Sequence, residues 1–238
     1  MSQFPYQSQP SYTNASTAET QLRVSAFIRS VYGWMFAGLL LTALSALWVV
    51  VSKPMQSLVL GSPVVPWVLF IAELGIVVFL SMRLTRMSPA AAASAFLVFS
   101  LLNGLTLSAI FFVYTLATIF QAFVTAAAMF GAMSIYGIVT KRDLTSWGSF
   151  FFMGLIGLVL CSVINIFLHS NALGWTVSVI GVFVFLGLTA WDNQKLKVMA
   201  TVTGPTENLA VYGALSLYLD FINLFLFLLR IFGGSNRR

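Results

Sequence analysis

Residues 88–140 read SPAAAASAFLVFSLLNGLTLSAIFFVYTLATIFQAFVTAAAMFGAMSIYGIVT, a stretch without a single Asp, Glu, Lys or Arg. As one helix it would run roughly 80 Å at 1.5 Å per residue, more than twice the ~30 Å hydrocarbon layer of a bilayer. It must turn back once. The polar pair Tyr114 and Thr115 is the natural hairpin, giving spans at 90–113 and 116–139. Outward from these two, the apolar runs 31–51 and 64–82 precede them, and 148–168, 173–191 and 209–232 follow. The total is seven. Trp34, Trp48, Trp67, Trp147, Trp175 and Trp191 all fall near the ends of these runs, where indole rings prefer to sit.

Composition agrees. Of 238 residues, 59% are apolar and 8% charged, whereas a soluble domain needs about 25% charged residues to cover its surface. The reading is an all-α membrane protein, with a polar N-terminal tail over 1–22, rich in Ser, Gln, Pro and Tyr and expected to be disordered, ahead of a seven-helix domain over 23–238. The tail has neither the basic start nor the apolar core of a cleaved signal.

Basic residues set the expected orientation. Arg23, Arg29, Arg83, Arg86, Lys141, Arg142, Lys195 and Lys197 fall on one side; Lys53, Arg230, Arg237 and Arg238 fall on the other. The positive-inside bias places the N-terminus in the cytoplasm and the C-terminus outside. The net charge of +6 is scattered rather than gathered into a patch, so nucleic acid is not an expected partner; the lipid bilayer is. One cysteine, Cys161, and one histidine, His169, exclude disulfide, structural-zinc and Cys/His chemistry. His169 is read as an exposed loop residue and Cys161 as a small buried one.

Four ionisable residues stand inside or at the ends of spans: Glu73, Asp192, Asp220 and Arg230. A charge at the bilayer centre costs at least ~2.5 kcal/mol, so each must face a partner or water. Asp220 lies deep in the last span, and Asp192 closes the one before it, with a linker read over 193–208. Two carboxyls sharing a poorly hydrated vestibule titrate as a coupled pair and suit a weakly held hard cation. The blander alternatives are a solvated helix end for Asp192, beside Lys195 and Lys197, and for Asp220 a structural bond such as one to Arg83. Glu73 and Arg230 are expected to pair with each other. Asn103, Asn165 and Asn223 read as interhelical glue, and Gly104 with Ser108 as a close-packing contact.

No metalloprotease, P-loop, nucleophile-elbow or dinucleotide motif is present, so the chain is not read as an enzyme. Two aspartates on consecutive membrane helices would suit an intramembrane aspartyl protease, but Leu217, Tyr218 and Leu219 precede Asp220 where such an enzyme has a Gly-x-Gly context.

The segments GLTLSAIFFVYT (104–115), FGAMSIYGIVTKRDLT (130–145), GLTAWDNQKLK (187–197) and YGALSLYLDFINLFLFLLRIFG (212–233) resemble the Bax inhibitor family of membrane proteins, most closely its bacterial members. The resemblance implies seven helices with the last one central in a six-helix surround. It implies a pH-sensitive calcium leak governed by two aspartates matching Asp192 and Asp220, with no cofactor beyond weakly bound calcium. Arg83 is the nearest match to an arginine that latches that pair. The resemblance further implies a bacterial inner-membrane location and, as an alternative role, association with a membrane-bound quality-control protease.

Overall fold

The computed structural model describes residues 12–83, 87–202 and 204–234, with side chains from Ala18 onward. Among the described residues all regular structure is helical: α1 (Tyr12–Val51), α2 (Lys53–Leu60), α3 (Val64–Arg83), α4 (Pro89–Leu107), α5 (Ile110–Val113), α6 (Leu116–Val139), α7 (Thr145–Leu168), α8 (Asn171–Val202) and α9 (Glu207–Gly233). Seven helical segments are long and apolar enough to cross a membrane, α4 and α5 forming one of them, and the protein is an all-α membrane protein.

The ends are written in local chemistry. Ser88 caps α4 by accepting from the Ala91 N–H, with Pro89 in the first turn; Thr115 accepts from Thr118, and Thr206 from Leu209. The expected hairpin at Tyr114 is present: its backbone is extended, and Thr115 starts α6. His169 ends α7 in the left-handed conformation, with φ 49°, and is exposed as read. Cys161 is half-buried rather than buried.

Two boundaries differ from the sequence reading. The first helix starts at Tyr12, so 12–22 continue it by about three turns; residues 1–11 of the expected tail lie outside the described residues. The second difference matters more. The supposed linker over 193–208 is mostly helix, because α8 continues to Val202 and only a short turn containing Gly204 and Pro205 separates it from α9.

The helices sort into an inner and an outer set. In the most apolar window of α8 and of α9, 56% of residues are buried; in α7 the share is 6% and in α3 it is 11%. The principal neighbours of α9 are α8, α6, α1 and α4, while α3 packs on α4 and α7 on α8. The last helix packs mainly against four helices rather than the expected surround of six, because α3 lies outside α4 and α7 outside α8, turning Phe79, Phe150, Met153 and Phe167 to the lipid side. Gly104 lets α4 approach α1: a Cβ there would run into the Ser45 hydroxyl and the Thr42 carbonyl oxygen. The Gly104→Ala substitution is expected to lower unfolding stability in detergent by roughly 1–3 kcal/mol through overpacking. Gly75→Ala, where nothing lies within 4 Å, is its neutral control.

Candidate functional site

The length of α8 decides the geometry of the site. Asp192 stands ten residues before Val202, about 15 Å up the helix, and Asp220 thirteen residues after Glu207, about 20 Å up its antiparallel neighbour. With a short turn between the helices, the two aspartates stand at nearly the same level on the most extensively packed helix pair of the molecule.

The segment Trp191–Lys197 holds this level together. Asn193 is fully buried; its Nδ2 donates to Ser134 Oγ (3.2 Å) on α6 and to the Thr189 carbonyl, and its Oδ1 accepts from Tyr32 OH (2.6 Å) on α1. Gln194 clamps the turn between α6 and α7, accepting from the Leu144 N–H (2.8 Å) and donating to the Arg142 carbonyl (2.7 Å). Lys197 donates to the Ile138 carbonyl at 2.8 Å. Lys195 donates to Tyr212 OH on α9 (3.2 Å), its ammonium 4.7 Å from the Trp191 ring centroid.

Against this background the two aspartates are exceptions. Neither accepts a hydrogen bond or forms an ion pair with another described residue. Asp220 is 5% exposed and its Oδ2 is sealed from solvent without a donor. Asp192 is half-buried. The two carboxyls act on each other through space, and the charge that acts on both is the Lys195 ammonium. A buried carboxyl left without donors is costly and is the kind of group that takes up a proton or a cation. Among the described residues no group of three or more His, Cys, Asp or Glu could enclose a metal, so the pair would supply two carboxylates only. Carbonyls and waters would complete a hard cation's shell, and holding would be weak. Asp143, in the turn between α6 and α7, is a different case: it is exposed, and hydrogen bonds from the Thr145 side chain and N–H hold its carboxyl below its ordinary value.

Arg83 does not reach the pair. It is exposed at the end of α3, an outer helix packed on α4, and forms no ion pair with either aspartate. Lys195, one helical turn beyond Asp192, occupies the electrostatic position expected of it. Arg86, Arg237 and Arg238, which entered the orientation count, lie outside the described residues.

Glu73 and Arg230 are not brought together either. Glu73, 7% exposed in the middle of α3, accepts from Asn103 Nδ2 (2.9 Å) and Thr106 Oγ1 (2.5 Å), neutral donors one turn apart on α4. Arg230 lies across the bundle against α7 and α8, beside Asn165 and Gly174. Asn103 is interhelical glue as read, since its Oδ1 accepts from Tyr218 OH (3.0 Å) on α9. The Thr42 hydroxyl on α1 stands 2.6 Å from the same phenol. Asn223 bonds only within its helix, to the Leu219 carbonyl.

Tyr218 and Asn193 escaped the sequence reading. Tyr218 is completely buried, edge-on to Phe96 and Phe99, and joins α1, α4 and α9 two residues from Asp220. A phenol beside an aspartate in the motif Tyr218-Leu219-Asp220 was the available signal. The Tyr218→Phe variant leaves the Asn103 oxygen without its donor and is expected to lose about 1–3 kcal/mol in a detergent unfolding titration. Tyr136→Phe, which removes an exposed hydroxyl with no hydrogen bond, should leave the midpoint in place.

The family model described as "Inhibitor of apoptosis-promoting Bax1" matches residues 24–237. "Inner membrane protein YbhL" of Escherichia coli (strain K12) is 50% identical over 228 residues, which cover 94% of this chain and 97% of that protein. An uncharacterized protein of Rickettsia prowazekii is 43% identical over 89% of this chain and 90% of its own length. Another, from Deinococcus radiodurans, is 42% identical over 90% and 92% respectively.

Proposed function

The chain belongs to the Bax inhibitor family, and we propose that it is a pH-sensitive, calcium-permeable leak whose gate is the pair Asp192 and Asp220. The observation that carries this reading is the Asp220 carboxyl, deep in the central helix, with an oxygen that no donor among the described residues satisfies and with the Asp192 carboxyl of α8 near enough to act on it electrostatically. When both groups are ionised they repel, which favours separation of α8 from α9 or entry of a divalent cation; with a proton between them the pair stays closed around the central helix. Lys195 is the resident cation of the closed arrangement, steered by the Trp191 ring and Tyr212 OH, and an entering calcium ion must compete with it. In this reading the chain's own groups conduct and sense, and the role is not catalytic.

The protein sits in a bacterial inner membrane in this reading, as the name of its Escherichia coli relative suggests, with its N-terminus and the basic turns on the cytoplasmic side. The aspartate pair then opens toward the cytoplasm, near Lys195 and Lys197.

Calcium entry into dye-loaded liposomes, followed against pH, tests the proposal. The parent protein should show a steep pH dependence, Asp192→Asn and Asp220→Asn should each flatten it, and Lys195→Met should raise uptake severalfold by removing the competing cation. Unchanged pH dependence in both aspartate variants contradicts the reading. So does a protein that passes no ion at any pH while co-purifying with a membrane protease and changing that enzyme's turnover.

A further inference from the structure

At the far end of the bundle from the aspartate pair, where α7 passes into α8, a hollow of about 280 Å³ is lined by Ser162, Asn165, His169, Ser170 and Asn171, together with Arg230 of α9. Asn171 begins α8 twenty-one residues before Asp192, and Arg230 follows Asp220 by ten residues on α9, so roughly 15–30 Å of helix separates this hollow from the gate. We infer that it is a binding site for a phosphate-type oxyanion, carried either by a phospholipid headgroup or by free phosphate.

Arg230 is half-buried, and its guanidinium forms no ion pair and no hydrogen bond with any described residue. A guanidinium offers five N–H donors and stays charged, so partial burial without acceptors leaves a strong demand for an anion. The chain holds six Asp and Glu residues, and none of them meets that demand. Glu19 pairs with Arg23, Glu73 is held by α4, and Asp143, Asp192, Glu207 and Asp220 belong to the opposite part of the bundle. No Asp or Glu side chain of the protein supplies the counter-charge.

The hollow's other polar groups are arranged in the same sense. Asn165 Oδ1 is occupied by the Ser170 N–H (3.1 Å), which leaves its Nδ2 donor beside the guanidinium. Ser170 Oγ accepts from the Leu173 N–H (3.3 Å), which leaves its proton free to donate. Two donors thus stand next to a planar fork that matches a phosphate bidentately. Gly174 makes room for it: a Cβ there would strike Arg230 Nη2 and lie 2.8 Å from Cζ. A basic hollow between membrane helices at the bundle's end lies at headgroup level, where lipid phosphates are concentrated. An anion bound there would tie the end of the central helix to the turn between α7 and α8.

Thermal unfolding of the full chain in dodecyl maltoside provides the test, with three probes: dioctanoyl phosphatidylglycerol, inorganic phosphate, and dioctanoylglycerol, which lacks phosphate. At least one phosphate-bearing probe should raise the melting temperature of the parent saturably by several degrees, and dioctanoylglycerol should not. A rise with phosphatidylglycerol alone identifies a headgroup site; an equal rise with inorganic phosphate identifies a site for the free anion. In probe-free detergent Arg230→Gln should melt where the parent does, because no described residue satisfies that charge, and it should lose the rise. Gly174→Ala should lose the rise too, because its methyl displaces the guanidinium. The proposal is overturned if neither phosphate probe shifts the parent, if parent and both variants shift equally, or if Arg230→Gln melts well below the parent without any probe.

Discussion

A carboxyl group without a hydrogen-bond donor, buried in the central helix of a membrane bundle, constrains everything around it. Asp220 is nearly sealed, and water is not there to dissipate its charge. It persists because α8 and α9 share the most extensive packing of any helix pair and bring Asp192 and the Lys195 ammonium to its level. The surrounding side chains are satisfied one by one. Asn193, Gln194, Lys195 and Lys197 each have a partner on another element, so α8 is pinned to α1, α6, α9 and the turn before α7 while the two acids between those pins are left free to bind. A scaffold that satisfies every neighbour and leaves two carboxyls unsatisfied concentrates its electrostatic sensitivity at one place.

A second polar layer shows the contrasting solution. Glu73 is also a buried acid in a membrane span, but Asn103 and Thr106 donate to its two oxygens, and Asn103 passes the connection through Tyr218 to the central helix. With both oxygens engaged by neutral donors, this carboxyl serves packing between α3, α4 and α9 rather than exchange with a passing ion. The difference between the two layers lies in partners, not in residue type.

The spans were legible because charge is nearly forbidden in hydrocarbon: a stretch of uncharged residues over 88–140 leaves only the position of its hairpin to find, and Tyr114 and Thr115 mark it. The end of α8 was not legible in the same way. Residues 192–197 are polar enough to pass for a loop, yet Asn193, Leu196 and Ala200 are buried at helical spacing, so the polar run continues the helix with one face turned inward. Glu73 and Arg230 were mispaired for a related reason: hydropathy gives depth along a span but not the direction a side chain faces around it. Their actual surroundings depend on α3 lying outside α4 and on Arg230 facing α7 and α8, neither of which is encoded in a single span. Asp220 was found because its cost is visible from sequence alone. Lys195 was read only as a topological charge and a neighbour at a solvated helix end, because a lysine there normally needs no further explanation.

A gate made of Asp192 and Asp220 requires the two to titrate as one unit. Infrared difference spectroscopy on the reconstituted protein, with aspartate carboxyls isotopically labelled, can follow the protonation of Asp220 directly in the parent and in Asp192→Asn. Replacing Asp192 is expected to move the midpoint of the Asp220 titration and simplify it to a single proton step. An Asp220 titration curve identical in the two proteins would contradict it.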